Sequence, residues 1–333
     1  MRRDLPASPN LDHLKAQAKD LLDAHQRGDA EAFARIRAGV PAFAGMDDEQ
    51  LARAPFALHD AQSAIAREYG QKSWSELREE VASRLAGQPP SEELVRALLN
   101  LPFPEAVGMA LRDAWARRPE GVAAAKLPLP ETLPLVAMRD ALLTPGALAP
   151  IHVGRAASKA ALDAALARKP ATLALFTQRA AEKEEVDAAS LYPIGIEAIV
   201  YAGIPDGERA WVVLEGLRWI ALESIETAPA GTLIARVNVV HVEPGDAAEV
   251  SALAGALREL ARPLAGALPG GSRLVAMLDT LDPGPLADLV IANLPVPVAE
   301  KARYAAAPSL AERLRIARAL TAAIAASGGA PPR

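Results

Sequence analysis

Apolar residues change their spacing twice along this 333-residue chain, and each change redraws what the backbone can form. Through the first 122 residues they recur at intervals of three and four. Leu11, Leu14, Ala18, Leu21 and Leu22 fall on one face of a helix. Arg27-Gly28-Asp29 predicts its stop, with Gly28 as C-cap and Asp29 capping the next helix. Ala61, Ile65 and Tyr69 repeat the rhythm in a helix ended by Gly70. Ser73-Trp74-Ser75-Glu76 has the spacing in which Ser and Glu cap each other's backbone donors, and Trp74, Leu77, Val81 and Leu85 form the apolar stripe that follows. Gly87-Gln88-Pro89-Pro90 breaks the pattern before a helical pair around Glu92–Leu99 and Pro104–Arg117.

The second pattern begins after Ala125–Pro134, where Leu127-Pro128-Leu129-Pro130 and Leu133-Pro134 predict an extended linker. The runs Leu173–Phe176, Ile194–Tyr201, Ala210–Leu214 and Leu233–Val242 read as strands, with a helix at Ser158–Ala167 among them. Asp206-Gly207 marks a hairpin turn within a slightly longer loop. Helical spacing returns after Pro244-Gly245-Asp246. Val250, Leu253, Leu257, Leu260 and Leu264 lie on one long helix ended by Pro269-Gly270-Gly271. Shorter helices follow at Leu274–Leu278, Pro285–Leu294 and Val298–Ala306, and Ser309-Leu310-Ala311-Glu312 caps the last one. This order predicts an α+β chain: a helical domain over 1–122, a β-rich unit over 123–245, a helical bundle over 246–326 and a flexible tail over 327–333.

Several chemistries are excluded by what the chain lacks. Zero Cys removes disulfides, thiolate catalysis and the usual zinc-ribbon sites. A net charge of −5 argues against a general nucleic-acid binder. The five His residues form neither H-x-x-x-H nor HExxH, so no metal is expected. There is no Walker-type phosphate loop and no G-x-S-x-G elbow. His59-Asp60 and Ser158-Lys159 are adjacent pairs, and neighbours on a helix diverge too far to be expected to work together. No catalytic residue, cofactor or metal is therefore expected. Neither a leader nor a run of ~18 apolar residues is seen, which predicts a cytoplasmic protein without a membrane span. Among the few aromatics, Trp211 and Trp219 are eight residues apart, at strand parity, with Gly216 between them predicting a bend.

From Leu133 onward the chain resembles the N-terminal substrate-recognition domain of the Lon protease family. The resemblance rests on Leu133-Pro134-Leu135, Arg139-Asp140, Pro145-Gly146 and a strand ending in Val153-Gly154-Arg155. It continues through Leu191-Tyr192-Pro193-Ile194-Gly195, Asp206-Gly207, Val213-Leu214-Glu215-Gly216-Leu217-Arg218 and the helical tail containing Leu294-Pro295 and Glu312-Arg313-Leu314. It implies a PUA-like small β-barrel followed by a helical bundle, with the Leu-Pro-Leu segment as a strand. It also implies substrate holding, with ATP hydrolysis and proteolysis belonging to other domains of the family. The N-terminal helices resemble a leader found in some bacterial ankyrin-repeat proteins, on Asn10-Leu11-Asp12-His13-Leu14-Lys15 and Ile65-Ala66-Arg67-Glu68-Tyr69-Gly70.

The leading expectation is a non-catalytic recognition or adaptor module for proteins or unfolded peptide segments, working with a separate ATP-dependent protease. Its expected contact residues are Leu142, Pro145, Tyr192, Trp211 and Trp219. The alternatives are an RNA-binding PUA-like protein, disfavoured by the charge, and an enzyme with an unfamiliar site using His152 or His241 as base.

Overall fold

The computed structural model describes residues 3–6, 9–86, 103–117, 128–228, 231–268 and 271–327. The expected break at 87–90, the helix at 92–99, Leu127 of the linker and the tail at 328–333 lie outside the described residues. In chain order the helices are α1 (Leu11–Gln26), α2 (Ala30–Gly39), α3 (Asp48–Arg53), α4 (Leu58–Glu68), α5 (Trp74–Ala86) and α6 (Glu105–Arg117). The strands are β1 (Thr132–Met138), β2 (Leu148–Val153), β3 (Thr172–Thr177), β4 (Ile194–Asp206), β5 (Arg209–Thr227) and β6 (Leu233–Val239). Helix α7 (Ala156–Leu166) joins β2 to β3. After the sheet come α8 (Ala247–Gly266), α9 (Gly271–Thr280), α10 (Pro283–Asn293), α11 (Val298–Ala305) and α12 (Leu310–Ala326).

The chain divides into two compact units, one of Met1–Gln88 with Gly270–Thr280, the other of Pro89–Pro269 with Leu281–Arg333. In the first unit the expected stops and caps are in place. Gly28 takes φ 75°, and Asp29 accepts from the Glu31 and Ala32 amides. At α5 the box is only half closed: Glu76 N donates to Ser73 Oγ at 3.2 Å, while the Glu76 carboxylate takes the Lys72 amide at 2.8 Å. Leu14, Leu21, Phe33, Ile36, Leu51, Ile65, Leu77 and Val81 make one core. Helix α9, from almost two hundred residues further on, completes it. Ala276 is buried in that same core, and Arg78 donates to Asp279 at 2.7 Å.

In the second unit six strands run in the order β2-β5-β4-β3-β1-β6, and β6 also pairs with β5, which closes a near-barrel ring. Only β1 and β3 are parallel; the other pairs are antiparallel. The alternation of β1 and β3 serves two apolar layers. Leu133, Leu135, Ala174 and Phe176 face Ile220 and Val237. Val136, Leu173 and Leu175 face the opposite way, with Ala161, Leu162 and Ala165 of α7.

The linker expected at Leu133-Pro134 is part of β1, as the family resemblance implied. Pro134 is tolerated because pairing with β3 starts only at Leu135, so its missing N–H interrupts no ladder on that side. The hairpin is tighter than expected. Asp206 pairs with Arg209, leaving Gly207 (φ 58°) and Glu208 as a two-residue turn. Trp211 and Trp219 do lie on one continuous strand. However, Glu197 pairs with Arg218 and Ala198 with Gly216, so Leu217 is bulged and the side-chain parity inverts between the two indoles. They consequently pack in different neighbourhoods.

Helices α8, α10, α11 and α12 follow. Val250, Ala254, Leu257 and Ala261 are the buried stripe of α8, with Leu253, Leu260 and Leu264 only half-buried beside it. No helix among the described residues is long and apolar enough to cross a membrane.

Candidate functional site

The structure distributes the five expected contact residues over three places. Leu142 and Pro145 lie on the loop from β1 to β2, and Tyr192 ends the loop from β3 to β4. Thr177 draws the two loops together: its Oγ1 donates to Ala141 O at 2.7 Å, and its carbonyl accepts from Tyr192 N at 2.9 Å. Leu142 is buried, whereas Pro145 and Tyr192 are half-buried. The first loop is pinned to β5 by two backbone bonds, Gly146 N to Gly216 O at 2.8 Å and Gly216 N to Ala147 O at 3.0 Å.

Three arginines, none of them singled out by composition or spacing, organise this end of the sheet. Arg155 donates to Gln178 Oε1 at 2.8 Å and also to Ala137 O. Burial, with Arg139 nearby, lowers the Arg155 guanidinium from its ordinary value. Arg139 pairs with Glu184 at 2.6 Å. Arg179 donates to Leu191 O at 3.0 Å and stands 4.8 Å above the Tyr192 ring. Tyr192 is thus half-open beneath one guanidinium, while Arg139 ties the β1–β2 loop to the β3–β4 loop through Glu184.

Trp211 sits elsewhere. Its indole is 7% exposed. It stacks on His152 at 4.5 Å and packs in a cluster with Phe103, Val107, Leu111 and Ala114 of the α6 segment. His152 reaches Asp206 Oδ2 at 3.0 Å, so the histidine considered as a base does have a carboxylate partner. The pair is open to solvent, with side chains 28% and 48% exposed. His59 and Asp60 also meet, at 3.3 Å, contrary to the expectation for adjacent helical residues, because Asp60 turns back to accept from Ala57 N at 3.0 Å. The described residues contain no cluster of three or more His, Asp or Glu able to hold a metal.

Trp219 belongs to a buried polar group between the sheet and the C-terminal helices. Tyr304 lies 6.3 Å from its ring, edge-on, and donates to Asp288 Oδ1 at 2.7 Å. Arg313 stands 5.2 Å from the Trp219 ring and 5.5 Å from the Tyr304 ring, and donates to the Ala305 carbonyl at 2.8 Å. Burial pushes the Asp288 carboxyl up to about 6, against the restraining Tyr304 bond and Arg313 charge. A second buried pair, Glu197 and Arg218 at 2.8 Å, lies on the cross-strand row containing Leu135 and Ala174. Desolvation raises the Glu197 carboxyl despite its partner.

These loops, the ring and the helices behind them form one continuous stretch of sequence. A family model described as the ATP-dependent protease La (LON) substrate-binding domain matches residues 132–322, which run from β1 into α12. The chain belongs to this family. A Lon protease of Anaeromyxobacter dehalogenans is 34% identical over 195 residues, which are 56% of this chain and 22% of that protein. Lon protease 2 of Myxococcus xanthus is 33% identical over 195 residues, covering 56% and 23%. The chain thus spans less than a quarter of the length of the curated relatives it matches. The N-terminal domain of a Mycobacterium avium complex Lon protease is 21% identical, with a TM-score of 0.49, over 57% of this chain and 98% of that one. Helices α1 to α6 precede the residues matched to the Lon domain, whereas α9 lies within them but packs in the first unit.

The Asp288 group is expected to make the stability of this Lon-type domain depend on pH. A carboxyl held near 6 when folded, against an ordinary value of 3.8, binds its proton more tightly in the folded state. Its contribution to stability is complete below about pH 4 and is lost as pH rises through about 6. Asp288→Asn keeps an acceptor for Tyr304 and removes this dependence. Urea unfolding between pH 4.5 and 7.5 is expected to show a stability change flatter by about 2 kcal/mol in the variant. An unaltered pH slope would contradict the assignment.

Proposed function

We propose that this chain is a non-catalytic recognition module that holds unfolded or partly folded protein segments and serves a separate ATP-dependent protease as adaptor or regulator. The observation that carries this reading is the match of residues 132–322 to the Lon substrate-binding domain. The loop end of the sheet supplies a fitting contact surface. Tyr192 offers a half-exposed ring beside the Arg179 guanidinium, and Leu142 and Pro145 stand on the neighbouring pinned loop. An aromatic ring beside a guanidinium suits segments of mixed composition, since it offers area without demanding one side chain. Trp211 and Trp219 complete the proposed set from beneath, Trp211 under α6 and Trp219 as the support on which the C-terminal helices bear.

The test is fluorescence anisotropy of the full chain with fluorescein-labelled casein, an unfolded polypeptide. Binding is expected, and Tyr192→Ala is expected to weaken it by about tenfold, the loss of ~1.4 kcal/mol. No binding to casein at any accessible protein concentration would overturn the reading. Salt-dependent binding of a labelled RNA in its place would favour the nucleic-acid alternative.

A further inference from the structure

Helix α6 precedes the matched Lon domain in sequence, yet it closes over one face of that domain's sheet. Phe103, Val107, Leu111 and Ala114, at steps of four, four and three, are buried against Trp211 and Val213. Leu148, Tyr201, Ala202 and Ile204 surround them. Along the opposite side of the helix Glu105, Met109, Arg112 and Asp113 are exposed. The face beneath owes nothing of its own pairing to the helix, because β2, β5 and β4 are hydrogen-bonded to one another across it. A helix of 13 residues is marginal by itself in water, so α6 is helical because it is seated. This is the relation of an amphipathic helix to a receptive groove, with both halves supplied by one chain.

We propose that the face formed by Leu148, Tyr201, Ile204, Trp211 and Val213 is a docking surface for an amphipathic helix of a protein substrate, which α6 occupies in cis. The proposal rests on the recognition function above and adds to the loop end a second site, with the form of segment it reads. The occupant presents an aromatic side chain followed by two aliphatic residues and a small one at steps of four, four and three, as Phe103 and α6 do. Trp211 is the central anchor: it is the largest side chain on the face and is stacked against the His152 ring of the neighbouring strand. Because α6 is linked to its own receptor, it competes at high effective concentration, and a free helix binds only where α6 yields. The surface is thereby covered until a substrate helix of better fit displaces the resident one.

The probe is a fluorescein-labelled synthetic peptide with the sequence of residues 103–117, titrated against the full chain. Val107→Asp with Leu111→Asp unseats α6 and is expected to tighten peptide binding at least tenfold over the unmodified chain. Adding Trp211→Ala is expected to abolish that gain, while Met109→Asp, on the exposed side, leaves binding as in the unmodified chain. Equal binding with and without the two aspartates, in chains that fold, overturns the proposal. If the aspartate variant does not fold, hydrogen exchange in the unmodified chain decides. Saturating peptide should remove amide protection from residues 105–117, and persistent protection overturns the proposal. Labelled casein run in parallel separates the two readings. Casein bound equally by all variants, with the peptide ignored, refutes the docking surface and leaves recognition standing; peptide bound and casein ignored does the reverse.

Discussion

Gly216→Ala is expected to cost the Lon-type domain about 3 kcal/mol or more, measured by urea unfolding, although it adds one methyl group. A Cβ at this position would stand 2.3 Å from the Thr144 carbonyl oxygen and 2.6 Å from Ile196 Cδ1. The first neighbour is backbone, and it belongs to the loop that Gly216 holds by two hydrogen bonds. Relief therefore means lifting the loop and losing both bonds. The loop carries Leu142 and Pro145, so casein binding should fall together with stability. Gly203→Ala is the matched control. Its methyl would meet only Leu162 and Leu166 side chains at 3.7 Å, ordinary van der Waals contact. That variant is expected to stay within about 0.5 kcal/mol of the parent. Equal stability of the two variants would show that Gly216 is not held in the close approach described.

Arg313→Ala is the second large expected loss, of about 3–5 kcal/mol, because truncating one member of a buried charged group leaves the other without compensation. Arg313 is 4% exposed and spans the space between Trp219, Tyr304 and the carbonyls that end α11. Asp288 is its electrostatic counterpart. With Arg313 removed, the loss should be greater at pH 7.5, where Asp288 is ionised, than at pH 4.5, where it is neutral. Lysine is not expected to rescue the variant, since a compact ammonium cannot both stand against the two rings and reach the Ala305 carbonyl as the broader, planar guanidinium does. Thermal unfolding at the two pH values checks both statements. A loss independent of pH would mean that Arg313 acts through packing alone.

What was legible in the sequence is what depends on near neighbours. The caps at Asp29 and Ser309 were readable because a cap and its donors lie within three residues. The helix–sheet–helix order followed from apolar spacing for the same reason. The resemblance to the Lon domain supplied β1, which proline-rich composition had assigned to a linker. The candidate site was legible only in part. Tyr192 and the Pro145 loop do come together, but through Thr177, which no local pattern marks. Asp288, Tyr304 and Arg313 sit on three different helices, and Glu197 meets Arg218 across a hairpin. Charged residues in such elements read as solvated faces until the fold buries them. The bulge at Leu217 similarly inverts a parity that counting alone preserves. One signal was available for α6: an apolar 3–4 repeat next to a β-rich unit needs a surface to cover it.

Helix α9 bears on the order in which the protein can be made. The first unit draws part of its core from residues 271–280, so a nascent chain extended only to residue 88, or even 268, lacks a piece of it. Domains usually fold as they emerge from the ribosome, the first before the last. Here the amino-terminal unit is begun first and finished late, after the whole ring has been synthesised. A chain cut between the helical leader and the ring would leave Ala276 without the helices that bury it. The two units cannot be separated with one cut of the gene.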